Sequence, residues 1–209
     1  LLLLLSRLAS GMSSGTGIEI QQELCAFAGR NFRENGLDRR LRAVMADFRG
    51  EVPGVRPGAF DLAVANPPYG RAGRGRPNPH PGKEAARHEV SCALPELFAA
   101  AGRYLAPGGR FALVMPIERL GEILSCARRG GMGRLAVRKV HARRGAPPSR
   151  ILVLLGPGMA DLPGELPPLF LHEGKGKYCP EVERLCRLFL PPRPPAADGP
   201  EELSGTDEG

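Results

Sequence analysis

The stretch FDLAVANPPYG, Phe60 to Gly70, constrains the fold more than any other part of the chain. Six residues of strand character run into Asn66-Pro67-Pro68-Tyr69. Neither proline can donate a backbone N–H, so no ladder continues through them. The strand must stop there and hold Asn66 and Tyr69 at its carboxyl end. In open α/β sheets that end is where ligands bind. Apart from Asp61, Phe60 to Ala65 is continuously apolar, as expected for a strand of a sheet covered on both faces.

The flanking sequence alternates strand and helix patterns. Leu1 to Ala9 reads as the end of a helix, and GTGIEI as a short strand over Thr16 to Ile20. QQELCAFAGRNFREN reads as a helix with Leu24, Phe27 and Ala28 on one face, closed by Gly36. LRAVMADF is a strand. A Gly/Pro/Arg loop runs from Gly70 to about Pro81, and SCALPELFAAAGRYLAPGG is a helix ended by Pro107-Gly108-Gly109. RFALVMP is a strand and IERLGEILSCARRGG a helix. RLAVRKVHARRGAPPSRILVLLG is strand, turn and strand. Strands separated by helices imply a parallel, doubly wound sheet, and the closing hairpin adds an antiparallel strand. No internal repeat is visible.

The 209 residues suggest one domain, residues 1–190, with 42% hydrophobic residues to build its core. The remaining 191–209 are rich in proline and acid and are expected to be disordered. That tail sets one arginine against five acidic residues, so the rest of the chain is more basic than the net +7 of the whole. Such a balance favours a polyanionic partner. The five cysteines form no CxxC, which argues against a zinc cluster or a disulfide framework and fits a reducing cytoplasm. LLLLLSRLAS is too short an apolar run to span a membrane and has no basic stretch before it. No metal and no membrane are expected.

In order along the chain, GIEIQQELCAFAGRN, ADF, NPPY, ARHE, LAPGGRFALVMPIERL and RILVLL resemble the bacterial tRNA(Val) adenine-N6 methyltransferase family. The likeness spans roughly Leu1 to Phe189. NPPY is shared by several N-methyltransferase groups, whereas RPNPHPGKEAARHE is more specific to the tRNA-modifying one. The resemblance implies a Rossmann-like class I methyltransferase sheet, S-adenosylmethionine as cofactor and tRNA or another structured RNA as partner. It also implies that the chain starts after a first strand and a Gly-rich turn that hold the methionine part of the cofactor. SSGTG, Ser13 to Gly17, precedes a strand rather than following one and reads as a helix-to-strand connection.

On that resemblance the site residues take roles. Glu19, ending its strand, would accept the cofactor's ribose hydroxyls, or it caps the next helix. Asp47 would accept the amino group of the cofactor's adenine, with Phe48 against the ring, or it starts a turn. Asn66 borders the cofactor and also acts on the substrate. The amino group of adenine shares its lone pair with the ring. Two acceptors holding its N–H groups, the Asn66 side-chain carbonyl and the Pro67 backbone carbonyl, would free that pair. Tyr69 offers a face for a splayed base. Arg71, Arg74, Arg76, Lys83 and Arg87 in the loop, with His88, would contact RNA. So would Arg143 and Arg144, within a second basic group that includes Arg138, Lys139 and Arg150. Solvated charge and structural hydrogen bonding are the plain alternatives for these groups. Two other activities share features with this reading: a protein-glutamine methyltransferase acting on release factors, and a nucleic-acid-binding module without catalysis.

Overall fold

The computed structural model describes residues 11–67, 94–158 and 164–189. The described residues form two sheets. β1 (Gly15–Glu19) pairs in parallel with β2 (Leu41–Met45). A six-stranded sheet has the order β3-β4-β6-β5-β7-β8, with β3 Phe60–Ala65, β4 Leu105–Pro116, β5 Met132–Arg143, β6 Pro148–Pro157, β7 Glu165–Gly174 and β8 Lys177–Tyr178. Among the described residues four α-helices connect or follow them: α1 (Gln22–Glu34), α2 (Leu94–Tyr104), α3 (Leu120–Arg129) and α4 (Pro180–Phe189). The connection β1-α1-β2 joins parallel strands, as does the passage from β3 through α2 to β4. Both are the crossover units the sequence pattern implies.

Helix α1 ends as its sequence dictates. Gly36 takes φ +66°, its N–H donates to the Arg33 carbonyl, and the Leu37 N–H donates to the Phe32 carbonyl. These two bonds satisfy carbonyls that the last turn would leave open. The apolar face expected of α1 is less covered than its pattern suggests. Phe32 is buried, but Leu24 and Phe27 stay 46% and 53% exposed; among the described residues α1 packs chiefly on the narrow β1–β2 pair.

The core lies on one face of β4, β6 and β5. Phe111, Leu113 and Met115 alternate along β4, and Ile151, Val153 and Leu155 along β6, as the two-residue repeat of a strand requires. Leu94, Phe98 and Ala101 of α2, with Ile123, Cys126 and Ala127 of α3, close over them. Phe98 meets Phe111 edge to face at 5.5 Å between centroids. Burying each such large side chain stabilises the fold by roughly 1.5–3 kcal/mol.

Three features differ from the sequence reading. β3 is not covered on both faces: Asp61 and Leu62 are exposed, and β3 pairs with β4 alone among the described residues. α2 ends at Tyr104, and Leu105 to Gly109 already belong to β4, with a register shift opposite Phe60 and Leu62. β6 lies between β4 and β5, antiparallel to both, and β7 adds beyond β5 in parallel. β7 carries Pro167 and Pro168, which lack the ladder donor. They fall where the register jumps from Arg138↔Leu166 to Val140↔Leu169. Among the described residues no helix is long and apolar enough to cross a membrane, and no group of acidic, His and Cys side chains could hold a metal.

Candidate active site

The amino ends of β1, β2 and β3 gather at one cavity of about 400 Å³, bordered by Gly15, Leu41 and Phe60. At the opposite, carboxyl ends of the same strands Glu19 closes β1, and Asp47 and Asn66 lie just beyond β2 and β3. Glu19 closes β1 opposite Met45 of β2, and its backbone carbonyl accepts the Ala46 N–H at 3.1 Å. That bond carries the β1–β2 pairing up to the residue before Asp47.

Glu19 is half-buried, and its Oε1 accepts the Gln21 N–H at 2.9 Å, at the start of α1. One oxygen therefore holds the N–H of Gln21, which is itself the residue that caps the helix, so Glu19 is not the cap. The other oxygen has no hydrogen-bond partner among the described residues. A carboxylate oriented by one bond and open at its second oxygen fits a ribose hydroxyl.

Asp47 is clasped by Arg49. The Arg49 backbone N–H donates to Oδ1 at 3.0 Å, Nε donates to Oδ1 and Oδ2 at 2.9 and 2.8 Å, and Nη2 donates to Oδ2. The Arg49 side-chain hydrogen bonds, with its backbone N–H second, hold the Asp47 carboxyl below the usual carboxylate range. An amino group can share Asp47 only where Arg49 leaves a lone pair. Arg49 is the residue that sequence reasoning missed here. The signal for it is its place two residues after a turn-forming Asp, where a side-chain carboxylate meets the backbone N–H.

The segment after Asp47 is fastened to α2. The Tyr104 hydroxyl accepts the Val52 N–H at 3.0 Å and donates to the Gly50 carbonyl at 3.1 Å. Arg103 Nη1 also donates to that carbonyl, at 2.8 Å. Phe48, half-buried, begins this fastened stretch.

Asn66 follows the last residue of β3 and is exposed, whereas Pro67 is buried. A buried proline after an exposed asparagine anchors the strand end and leaves the amide at the rim. Tyr69, Arg71, Arg74, Arg76, Lys83, Arg87 and His88 lie outside the described residues. The β5–β6 turn sits on the same rim as Asn66. Ala65 pairs with Leu113, Pro116 three residues on pairs with Arg150, and His141 pairs with Pro148.

The second basic group divides. Arg138 makes a two-pronged pair with Glu181 at 2.6 and 2.8 Å, and its Nε donates to the Pro167 carbonyl. Lys139 pairs with Glu165 at 2.6 Å. Arg150 donates to the Ser149 carbonyl. Arg138 and Lys139 therefore tie β7 and α4 to β5. Arg143 and Arg144 stand exposed at the end of β5 and in the turn.

No family model matches the chain. It is 30% identical over 167 residues to the tRNA1(Val) (adenine(37)-N6)-methyltransferase of Aeromonas hydrophila, covering 80% of this chain and 69% of that protein. It is 29% identical over 173 residues to the protein of that name from Tolumonas auensis, covering 82% and 69%. Among solved structures it is similar to a predicted O-methyltransferase from Agrobacterium tumefaciens. That likeness has a TM-score of 0.64 at 23% identity, over 81% of this chain and 75% of that one, and shows the shared class I fold. Strand ends of the Rossmann type, Glu19 and Asn66 on their carboxyl side, and this identity over most of the chain agree: the chain belongs to the tRNA1(Val) (adenine(37)-N6)-methyltransferase family, a group of S-adenosylmethionine-dependent enzymes.

Proposed function

We propose that this protein transfers a methyl group to the exocyclic N6 amine of an adenine in tRNA. The observation that carries the reading is Asn66-Pro67 at the carboxyl end of β3, in a chain of this family. S-adenosylmethionine, when bound, supplies an activated methyl group. Glu19 fits its ribose through the open carboxylate oxygen, and Phe48 and Asp47 form the neighbouring turn. The Asn66 side-chain carbonyl and the Pro67 backbone carbonyl each accept one N–H of the adenine amine. The nitrogen lone pair is then withdrawn from the ring and aimed at the donor. Alignment is the main task, so the chain needs no strong general base. The amine's proton passes to solvent after methylation. Tyr69 is assigned the flat face under the base, and Arg71, Arg74, Arg76, Lys83, Arg87 and His88 the RNA backbone.

The test is transfer of labelled methyl to total tRNA, with filter binding at several salt concentrations. Asn66→Ala should abolish transfer and leave tRNA binding and its salt slope unchanged. Replacing Arg71, Arg74 and Arg76 together should weaken binding across RNA sequences and flatten the slope, because each lost phosphate contact releases fewer counterions. Label appearing in a release-factor glutamine instead of tRNA, or full transfer by Asn66→Ala, would overturn the reading.

A further inference from the structure

We infer that the corner where β5, β7 and β8 meet is a stacking platform for an unpaired stretch of RNA. The inference deepens the RNA part of the reading above and rests on it. Two rungs of side chains cross the sheet there. In the first, His141 of β5 is paired with Phe170 of β7, and their rings lie 5.2 Å apart. In the second, Arg143 is paired with His172, and His172 with Tyr178 of β8. The His172 and Tyr178 rings stack at 4.9 Å with 19° between their planes. The rungs are two residues apart along β5 and β7, so they share a face and stand about 7 Å from each other.

Charge lies over one of these rings. The Arg144 guanidinium sits 4.8 Å from the centre of Phe170. His141 Nδ1 is hydrogen-bonded to the Ala146 carbonyl at 2.7 Å, which fixes the turn that carries Arg144. The nearby acid Glu173 is taken up by Lys177 at 3.0 Å, so it does not oppose an incoming phosphate. His172 Nδ1 is buried and has no hydrogen-bond partner among the described residues. Tyr178 is 46% exposed at the outer strand.

Aromatic faces combined with arginines are the chemistry of single-strand recognition. Bases stack on the rings, and guanidinium groups meet the backbone. A duplex hides its base faces and cannot use such a surface. Through β5 and β6 the platform is continuous with the rim that holds Asn66. Four to five strand spacings of about 4.8 Å separate β3 from β7 and β8, so an RNA loop whose adenine reaches Asn66 would lay a nucleotide a few positions further along the strand here. The paired basic side chains Arg138 and Lys139 are excluded from this role by their acidic partners.

The test compares a labelled RNA hairpin carrying a single-stranded loop with a blunt duplex of equal length, by fluorescence anisotropy against the full chain. The hairpin should bind more tightly than the duplex. Tyr178→Ala should weaken hairpin binding roughly 5-fold or more, the loss expected for one stacked base, with duplex binding and the salt slope unchanged. Tyr178→Phe keeps the ring and should bind like wild type. Replacing Arg143 and Arg144 with Gln should flatten the salt slope for the hairpin. Circular dichroism shows whether each variant is folded, and the Arg variants test the platform independently of Tyr178. Equal binding of hairpin and duplex by wild type, or wild-type binding by folded Tyr178→Ala, would overturn the inference. Binding that depends on Tyr178 without methylation of any RNA would overturn the methyltransferase reading and leave the platform. Methylation of tRNA with Tyr178→Ala binding unchanged would remove the platform alone.

Discussion

Tyr104→Phe deletes one oxygen from the fastening between α2 and the segment after Asp47, and its cost follows from what that oxygen does. The hydroxyl accepts the Val52 N–H and donates to the Gly50 carbonyl. Both Tyr104 and Val52 are buried, at 6% and 3% exposure. The phenyl ring keeps the packing, so no large cavity forms. Gly50 keeps a donor in Arg103 Nη1. The Val52 N–H has no replacement and stays buried without a partner. An orphaned buried donor costs about 1–3 kcal/mol. For a chain of this size, 1 kcal/mol moves the melting temperature by roughly 2–4 °C. Differential scanning calorimetry should therefore show Tyr104→Phe melting about 2–12 °C below wild type. Tyr178→Phe, at an exposed edge, should stay within about 0.5 kcal/mol of it. Hydrogen exchange should locate the loss at Val52 rather than in the β4–β6 core. An unchanged melting temperature for Tyr104→Phe would refute the claim that this hydroxyl fastens the segment.

Two further substitutions probe the backbone and the clasp. At Gly109 an added Cβ would meet the Ala106 carbonyl oxygen at 2.9 Å and the Phe60 carbonyl oxygen at 3.1 Å, both backbone atoms that cannot swing away. Gly109→Ala should cost about 1–3 kcal/mol in urea denaturation, whereas Gly121→Ala, in α3 with nothing within 4 Å, should stabilise by about 0.4–1 kcal/mol. The Asp47 carboxyl is depressed in the folded state by Arg49. Its contribution is therefore present above the ordinary carboxylate value, about pH 4, and is lost as the pH falls through the lower, folded value. Asp47→Asn should lower stability at neutral pH, and its difference from wild type should vanish in strong acid.

The prolines after Ala65 made the position of Asn66 legible, because a missing N–H is a property of the residue itself. Gly36 was legible for a similar reason: its left-handed turn is local. What escaped was decided by distant partners. Arg138 reads as a free cation until Glu181, far along the chain, is brought to it by α4. Lys139 is the same case with Glu165. β7 escaped because Pro167 and Pro168 contradict a strand, and only the register jump against β5 accommodates them. The apolar face of α1 was legible as a pattern, but its cover depends on the width of the sheet beneath, which no local pattern encodes. Asp47 was singled out by resemblance, and its clasp by Arg49 only by structure.

The separation of β1–β2 from the larger sheet also has a consequence in bulk solution. Among the described residues β1 pairs with β2 alone and β3 with β4 alone, so within them each has one edge with no strand beside it. Exposed Ile20, Met45 and Leu62 lie at or beside these strands. A bare edge flanked by apolar side chains is a template on which another copy's strand can add. The net charge of +7 opposes such meetings. Added salt screens that repulsion and leaves the edges attractive. The colloidal lifetime of this chain should therefore shorten as ionic strength rises.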